Sequence, residues 1–296
     1  MAEAPLFDTL TIVGPGLIGS SLLRRARQTG TLARHLIAAD CSPDVLNRVR
    51  ELDIADEVTA SLTEAAAKSD AVILCIPTGA IRPAATKILP FMQPGSILSD
   101  VASVRSTLGP DISAFLPDGV SYVPAHPMAG TEYSGPDAGF ATLFEDRWTL
   151  LVPPEGTAPE AISLMKRFWQ RCGARTRQIT DQYHDQVCAM VSHLPHLLAF
   201  TICDTADRLS ADLRGDVLEY AASGFRDFTR IAASDPTMWR DIFLTNRDVL
   251  LATFERFEKD AHLMVEAIRN GDSEAITERI QRGRRIRQSL LDNRQA

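Results

Sequence analysis

No two of the five cysteines (Cys41, Cys75, Cys172, Cys188 and Cys203) stand as CxxC, and five is an odd number. That argues against a disulfide framework or a structural zinc and for a reducing compartment. Cys75 lies inside the apolar run "AVILCIP" and reads as a small buried hydrophobe. Basic excess is missing as well. There are 31 Lys+Arg against 38 Asp+Glu, a net charge of −7, so no nucleic-acid or anionic-membrane partner is expected. The local exception "RGRRIR" (Arg282 to Arg287) reads as a solvated helix face. The N-terminal "MAEAPLFDTL" has no basic stretch leading into an apolar block, so no secretory signal is expected. No run of 18 apolar residues appears, so no membrane span is expected either, and a cytoplasmic location follows as the default. The chain shows no internal repeat and no low-complexity segment.

What is present is an alternation. Short apolar runs stand at 10–14, 35–40, 71–77, 96–100, 120–126, 149–153 and 174–179, with helical patterns at 17–28, 43–51, 78–89 and 158–172. Unbroken apolar strands separated by helices predict a parallel sheet covered on both faces, the doubly wound α/β class. After Thr180 only helical periodicity continues, with breaks at "SDP" (234–236) and "NGDSE" (270–274), where Asp or Ser can cap the next helix. The reading is therefore a Rossmann-type dinucleotide-binding domain over 1–180 and an all-helical domain over 181–296. Long apolar helical faces in that second part give reason to expect a homodimer through it.

The first strand runs into Gly14-x-Gly16-x-x-Gly19, which opens a helix. The first glycine permits the tight turn, the second lets a pyrophosphate approach the backbone, and the third allows close helix–strand packing. Leu17 and Ile18, inside the motif, and Pro77, at the end of "AVILCIP", belong with the cofactor-binding set. Asp40 ends the second strand, 21 residues after Gly19, where a carboxylate accepts hydrogen bonds from ribose hydroxyls. A carboxylate there repels a 2′-phosphate, and Cys41 and Ser42 offer no cation to hold one, so NAD is expected rather than NADP.

In a doubly wound sheet the ligand lies beyond the carboxyl ends of the strands. Two polar stretches fall there, "SDVASVRS" (99–106) and "AHPMAGTEYSG" (125–135). His126 could take a proton from a substrate hydroxyl, or be a loop histidine, and position alone leaves both open. "SHLPHLL" puts Ser192, His193 and His196 within one turn of an apolar helix. No neighbouring acid or cysteine completes a ligand set for this HxxH pair, so no metal is expected. "GFRDFTR" puts Arg226, Asp227 and Arg230 on one helical arc. That is an ion-pair ladder or, among Phe225, Phe228 and Trp239, a carboxylate-binding arginine.

Together, "GPGLIGSSLL", "SDVASVR", "HPMAGTEYSG", "SHLPHLLAF" and "GFRDFTRIAASDPTMWRDI" resemble, in order and over residues 10 to 250, the prephenate/arogenate (cyclohexadienyl) dehydrogenases. The resemblance implies NAD-dependent oxidative decarboxylation of prephenate to 4-hydroxyphenylpyruvate, or of arogenate to tyrosine. It implies that His126 accepts the proton of the ring hydroxyl and that Ser103 positions that hydroxyl and the nicotinamide. It implies Arg230 on a substrate carboxylate and Ser192, His193 and His196 at the side-chain end. Glu132 and Asp227 are then carboxylates near the arginine, and Trp239 closes the pocket. "AASGFR" is less glycine-rich than the family pattern. No chorismate mutase segment and no appended regulatory module are expected, so any tyrosine feedback would act at the active site.

Two competing readings stand beside this one. A β-hydroxyacid dehydrogenase or imine reductase also joins a Rossmann domain to helices. The hydroxyacid enzymes use a helical-region lysine, and residues 181–296 hold only Lys259, on a charged helix face. A non-catalytic dinucleotide sensor would need the glycines and Asp40 but not His126 together with Arg230.

Overall fold

The computed structural model describes residues 3–131 and 133–292, for Asp212 the backbone alone. Its strands are β1 (Phe7–Val13), β2 (Ala33–Ala39), β3 (Glu57–Thr59), β4 (Ala71–Leu74), β5 (Ile97–Asp100), β6 (Ser121–Tyr122), β7 (Ala125–Pro127), β8 (Trp148–Leu151) and β9 (Arg175–Gln178). The helices of the first half are α1 (Leu17–Thr29), α2 (Pro43–Glu51), α3 (Leu62–Ala67), α4 (Thr78–Ile88), α5 (Leu108–Ser113) and α6 (Pro159–Arg171). Those that follow are α7 (Asp181–Cys188), α8 (Leu194–Asp207), α9 (Ala211–Glu219), α10 (Ser223–Thr229), α11 (Pro236–Thr245), α12 (Arg247–Arg269) and α13 (Ser273–Asp292).

Six strands pair in the order β3-β2-β1-β4-β5-β6, all parallel. This is the dinucleotide-binding order, and its direction reverses between β1 and β4. Core residues Leu10, Ile12 and Leu74 are fully buried because helices cover both faces of the sheet. The expected strand over 120–126 is in fact two. Pairing with β5 stops after Tyr122, the last ladder bond running from the Val123 amide to the Leu98 carbonyl at 2.9 Å, and the chain turns away. It resumes as β7, antiparallel to β8, in a separate three-stranded sheet completed by β9. β3 was not expected: three half-buried residues carry too little pattern.

The helical stretch after Thr180 starts on a cap, since the Thr180 hydroxyl accepts from the Tyr183 amide at 3.4 Å. Between α7 and α8 lies a π-turn, Ala189–His193, in which the Leu194 amide reaches back to the Ala189 carbonyl. Pro195 explains it. It cannot donate to the Val191 carbonyl and its ring crowds that group, so the preceding turn widens. The whole stretch Asp181–Asp207 is long and apolar enough on composition alone to cross a bilayer. It nevertheless carries His184, Asp185 and His193, all fully buried. The breaks expected at 234–236 and 270–274 are caps: Asp235 accepts from the Met238 amide at 2.7 Å, and Asp272 from the Ala275 amide at 3.0 Å. Compact packing divides the chain into Met1–Arg247 and Asp248–Ala296. Strands thus end near residue 180, while the helices up to Arg247 pack in the same unit as the sheet.

Candidate active site

At the β1–α1 turn, Gly14 has φ +80°, and a Cβ on it would lie 2.7 Å from the Cys75 carbonyl oxygen. A Cβ on Gly19 would lie 2.4 Å from the Gly14 carbonyl oxygen, so the helix can seat on the strand only without one. A Cβ on Gly16 would meet nothing within 4 Å, which leaves that stretch of backbone open to a ligand. The amides of Leu17 and Ile18 fall in the first helical turn, where no i−4 carbonyl exists, and no acidic residue stands there to compete with an anion. Asp40 follows β2 beside this turn, the Gly14 amide donating to the Ala39 carbonyl at 2.9 Å. One Asp40 carboxylate oxygen accepts from the Ser42 amide at 2.8 Å. Pro77 caps α4 just beyond β4. The residues present therefore form a cradle that fits a dinucleotide pyrophosphate.

The turn 101–106, after β5, holds Ser103, half-buried. Its neighbour Arg105 is buried and ion-paired to buried Asp100 at 2.7 Å, and it also donates to the Ala125 carbonyl at 3.1 Å. Asp100 accepts from the Tyr122 hydroxyl as well. The polar cluster therefore ties the Ser103 turn to β7, the strand that carries His126.

His126 is half-buried in β7, its Nδ1 2.8 Å from Nε2 of His184 on α7. Burial first, then the neighbouring His184, Arg105 and His193, hold its pKa well below the ordinary 6.5, so the ring is neutral. His184 Nδ1 lies 2.8 Å from the Asp185 carboxylate. Cys188 Sγ lies 3.4 Å from His184 Nε2 and 3.7 Å from His126 Nδ1. His126, His184 and Cys188 thus bring three possible metal-ligand atoms within 4.8 Å of one another. Two nitrogens on one tetrahedral zinc, each roughly 2.0–2.1 Å from the ion, stand roughly 3.3 Å apart, and 2.8 Å is hydrogen-bond spacing.

His193 Nδ1 lies 3.0 Å from Asn246 Nδ2, which also donates to the Asp185 carbonyl at 3.1 Å. Nδ2 is a donor in both contacts, so His193 Nδ1 accepts and the proton of the neutral ring sits on Nε2. Burial, chiefly, lowers the His193 pKa to about 4. Its Nε2 and the Trp239 Nε1 are both buried without a hydrogen-bond partner among the described residues. His196 donates from Nδ1 to the Ser192 carbonyl at 2.9 Å and stacks on Trp239, ring centroids 3.6 Å apart. Burial and the Arg230 charge lower the His196 pKa, against the bond to Ser192. Trp239 is itself buried and packs with Val104, Ile242, Phe200 and Phe243, so it sits inside an aromatic cluster beside the Ser103 turn. Arg230, in the 3₁₀ turn Arg230–Ala233, and Asp227 on α10 are exposed. Glu132 lies outside the described residues.

The depressed histidines bear on stability. His126, His184 and His193 have folded pKa values below the unfolded 6.5, so their contribution is present above pH 6.5 and is lost as pH falls. Each imidazole protonated only in the unfolded state contributes up to about 1.4 kcal/mol per pH unit. The melting temperature is expected to drop steadily from pH 7 toward pH 5. A Tm that stays level over that range would mean these rings are charged in the native protein.

His184, Asp185, Cys188, Arg105 and Asn246 were not singled out from the sequence. A signal existed for three of them: 184, 185 and 188 stand at one- and four-residue spacing in "HDQVC", just ahead of the apolar helical stretch.

Residues 23–178 match the family model "Prephenate dehydrogenase, nucleotide-binding domain", and residues 180–282 match "Prephenate dehydrogenase, dimerization domain". The chain is 34% identical to a cyclohexadienyl dehydrogenase of Zymomonas mobilis, over 96% of this chain and 97% of the relative. The chain belongs to the prephenate dehydrogenase family. Among solved structures of this family, a prephenate dehydrogenase from Aquifex aeolicus, in complex with hydroxyphenyl propionate and NAD+, superposes with a TM-score of 0.89. It is 32% identical, with 96% of this chain and 98% of that one covered. An arogenate dehydrogenase from Synechocystis gives 0.81 at 25% identity, covering 95% and 99%. As a member of the prephenate dehydrogenase family, the chain is an NAD-dependent oxidoreductase, and neither competing reading is favoured. The first family model begins at residue 23. The glycine turn lies before it and is identified here by its own geometry.

Proposed function

We propose that this chain oxidises and decarboxylates prephenate, arogenate or both, with His126 as proton acceptor. Bound NAD+ supplies the hydride acceptor. The glycine turn, the first-turn amides of Leu17 and Ile18, Asp40 and Pro77 hold it, and Ser103 orients the reacting end. His126, neutral, takes the proton of the ring hydroxyl as hydride leaves the same carbon. Carbon dioxide departs from the opposite ring carbon, and aromatisation drives the step. Prephenate carries two carboxylates and arogenate adds an ammonium. In a chain of net charge −7 they need a local cation, which Arg230 provides. Asp227 and Glu132 would tune that arginine.

The observation that carries this reading is a pair of buried donors with no partner among the described residues, His193 Nε2–H, on a ring that acts electrostatically on His126, and Trp239 Nε1–H, its ring 6.1 Å from that of His193. An orphaned buried donor is costly, and a polar group of the substrate would satisfy it. The direct test is NADH formation with prephenate and then with arogenate. Activity with neither overturns the proposal.

The same reading takes 1–180 as the cofactor domain and 181–296 as the substrate-binding and dimerisation domain, working as a homodimer in the cytoplasm. Ile202, Leu213, Leu218 and Tyr220 are exposed apolar side chains on and just after α8 and α9, and the family description of 180–282 supports a subunit interface. Light scattering on the purified chain tests it.

Asp40 gives a separate test. In the double variant Asp40→Ser, Cys41→Arg the carboxylate repulsion is gone and a phosphate partner is present. Preference should move toward NADP+. Unchanged selectivity in kcat/KM would remove Asp40 from the ribose site.

A further inference from the structure

The buried group nearest to His126 is not a substrate contact but a second histidine with its own carboxylate. Asp185 is fully buried on α7. Its Oδ1 accepts the Arg105 amide at 2.9 Å and its Oδ2 the Ser106 amide at 2.8 Å. Burial opposes its charge, but the bonds from His184, Ser106 and Arg105 outweigh burial and hold the carboxyl below its usual range. A carboxylate only accepts. His184 Nδ1, 2.8 Å from Oδ1, must therefore carry the proton.

His184 is neutral, because burial keeps its pKa low despite Asp185. A neutral imidazole with a proton on Nδ1 has a bare Nε2. That bare nitrogen faces His126 Nδ1 at 2.8 Å. The only way to make this contact a hydrogen bond is for His126 to donate from Nδ1. His126 Nε2 is then bare.

We propose that Asp185 and His184 are positioning residues that fix the tautomer of His126, leaving its Nε2 lone pair for the substrate hydroxyl. This inference rests on the reading of His126 as proton acceptor. In the opposite tautomer two lone pairs would confront each other across the 2.8 Å gap. The other groups facing the two rings do not relieve that. Cys188 has one weak S–H for His184 Nε2 at 3.4 Å or His126 Nδ1 at 3.7 Å, too little to offset two facing lone pairs, its thiol being pushed up to about 12 by burial, first, and by Asp185. Arg105 contributes positive charge, and His193 is a neutral ring held by Asn246. When His126 has taken the proton on Nε2 it still donates from Nδ1 to His184, so the pair stays joined through the step. A buried aspartate does the same for the base of serine proteases, with one imidazole fewer.

The test uses the full chain saturated with NAD+ and labelled with ¹⁵N in histidine, the His126 signals being assigned by their loss in His126→Asn. The wild-type spectrum should show His126 with hydrogen on Nδ1 and none on Nε2 at neutral pH. In Asp185→Asn the side-chain amide can donate to His184 Nδ1, which would reverse both rings. kcat should fall by about 10- to 100-fold with KM for both substrates unchanged, since binding does not depend on the tautomer. His184→Gln should give a similar loss of kcat. In a His126→Asn background neither substitution should cost anything further. A wild-type His126 protonated on Nε2 overturns the proposal, whether or not either variant folds. So does an Asp185→Asn enzyme whose spectrum shows both rings reversed and whose kcat is normal. The reading of His126 as the base fails separately, if His126→Asn alone keeps its rate.

Discussion

Replacing His126 with asparagine is expected to lower kcat by about 10²- to 10⁴-fold, the span of general-base catalysis. Asparagine keeps a similar size and can hydrogen-bond, but it cannot accept the proton. Prephenate or arogenate and NAD+ should still bind, because the proposed reading rests the carboxylate on Arg230 and the pyrophosphate on the glycine turn. The pH profile is the sharper readout. Wild-type kcat should decline only well below pH 6.5, since burial and the neighbouring His184, Arg105 and His193 keep His126 neutral above that. The limb should flatten in the variant. A variant that binds normally and turns over at the wild-type rate refutes the assignment. One that binds nothing would make His126 a binding or structural residue, with a histidine of "SHLPH" the next acceptor to test.

His126 also shows how far the sequence could be read. Its type and its place after an apolar run allowed a base or a plain loop histidine, and the order of five motifs tipped the choice. The glycine turn was legible for a different reason. Its spacing is local, and the clashes that a Cβ on Gly14 or Gly19 would make follow from one strand and one helix. The partners of His126 were not legible. His184 stands 58 residues away, and β7 meets α7 only in the folded chain, with Arg105 bonded to both. Nothing in the local sequence marks Arg105 as buried. Its burial depends on Asp100, on a different element, neutralising it.

Arg230→Ala should raise KM for the acidic substrate by about 10- to 150-fold, equivalent to roughly 1.5–3 kcal/mol for charge-assisted hydrogen bonds to a carboxylate. NAD+ affinity should barely change. Arg230→Lys should recover only part of the loss, because a single ammonium cannot reproduce the planar fork of a guanidinium. Arg230 acts on the His196 ring, which stacks on Trp239, so its charge already reaches the aromatic cluster beside the Ser103 turn. Asp227→Ala should alter substrate binding only through Arg230. If KM stays unchanged in Arg230→Ala and only stability slips, the arginine is an ordinary surface ion-pairing residue.

The π-turn at Ala189–His193 decides which side of the rod each histidine occupies. An α-helix advances about 100° per residue, so plain counting puts His193 about 180° and His196 about 120° round from His184. The widened turn absorbs one extra residue and sets everything after it back one step. His193 then stands about 80° and His196 about 20° from His184, with Cys188 near 40° and Asp185 near 100°. The partners of His126 and the histidines beside Trp239 thus share one sector about 100° wide on a single rod. Tightening this turn to plain α with no residue lost would leave every one of these side chains in the chain and still swing His193 and His196 out of that sector by about 100°. The site therefore depends on how this turn is wound, and not only on which residues it carries.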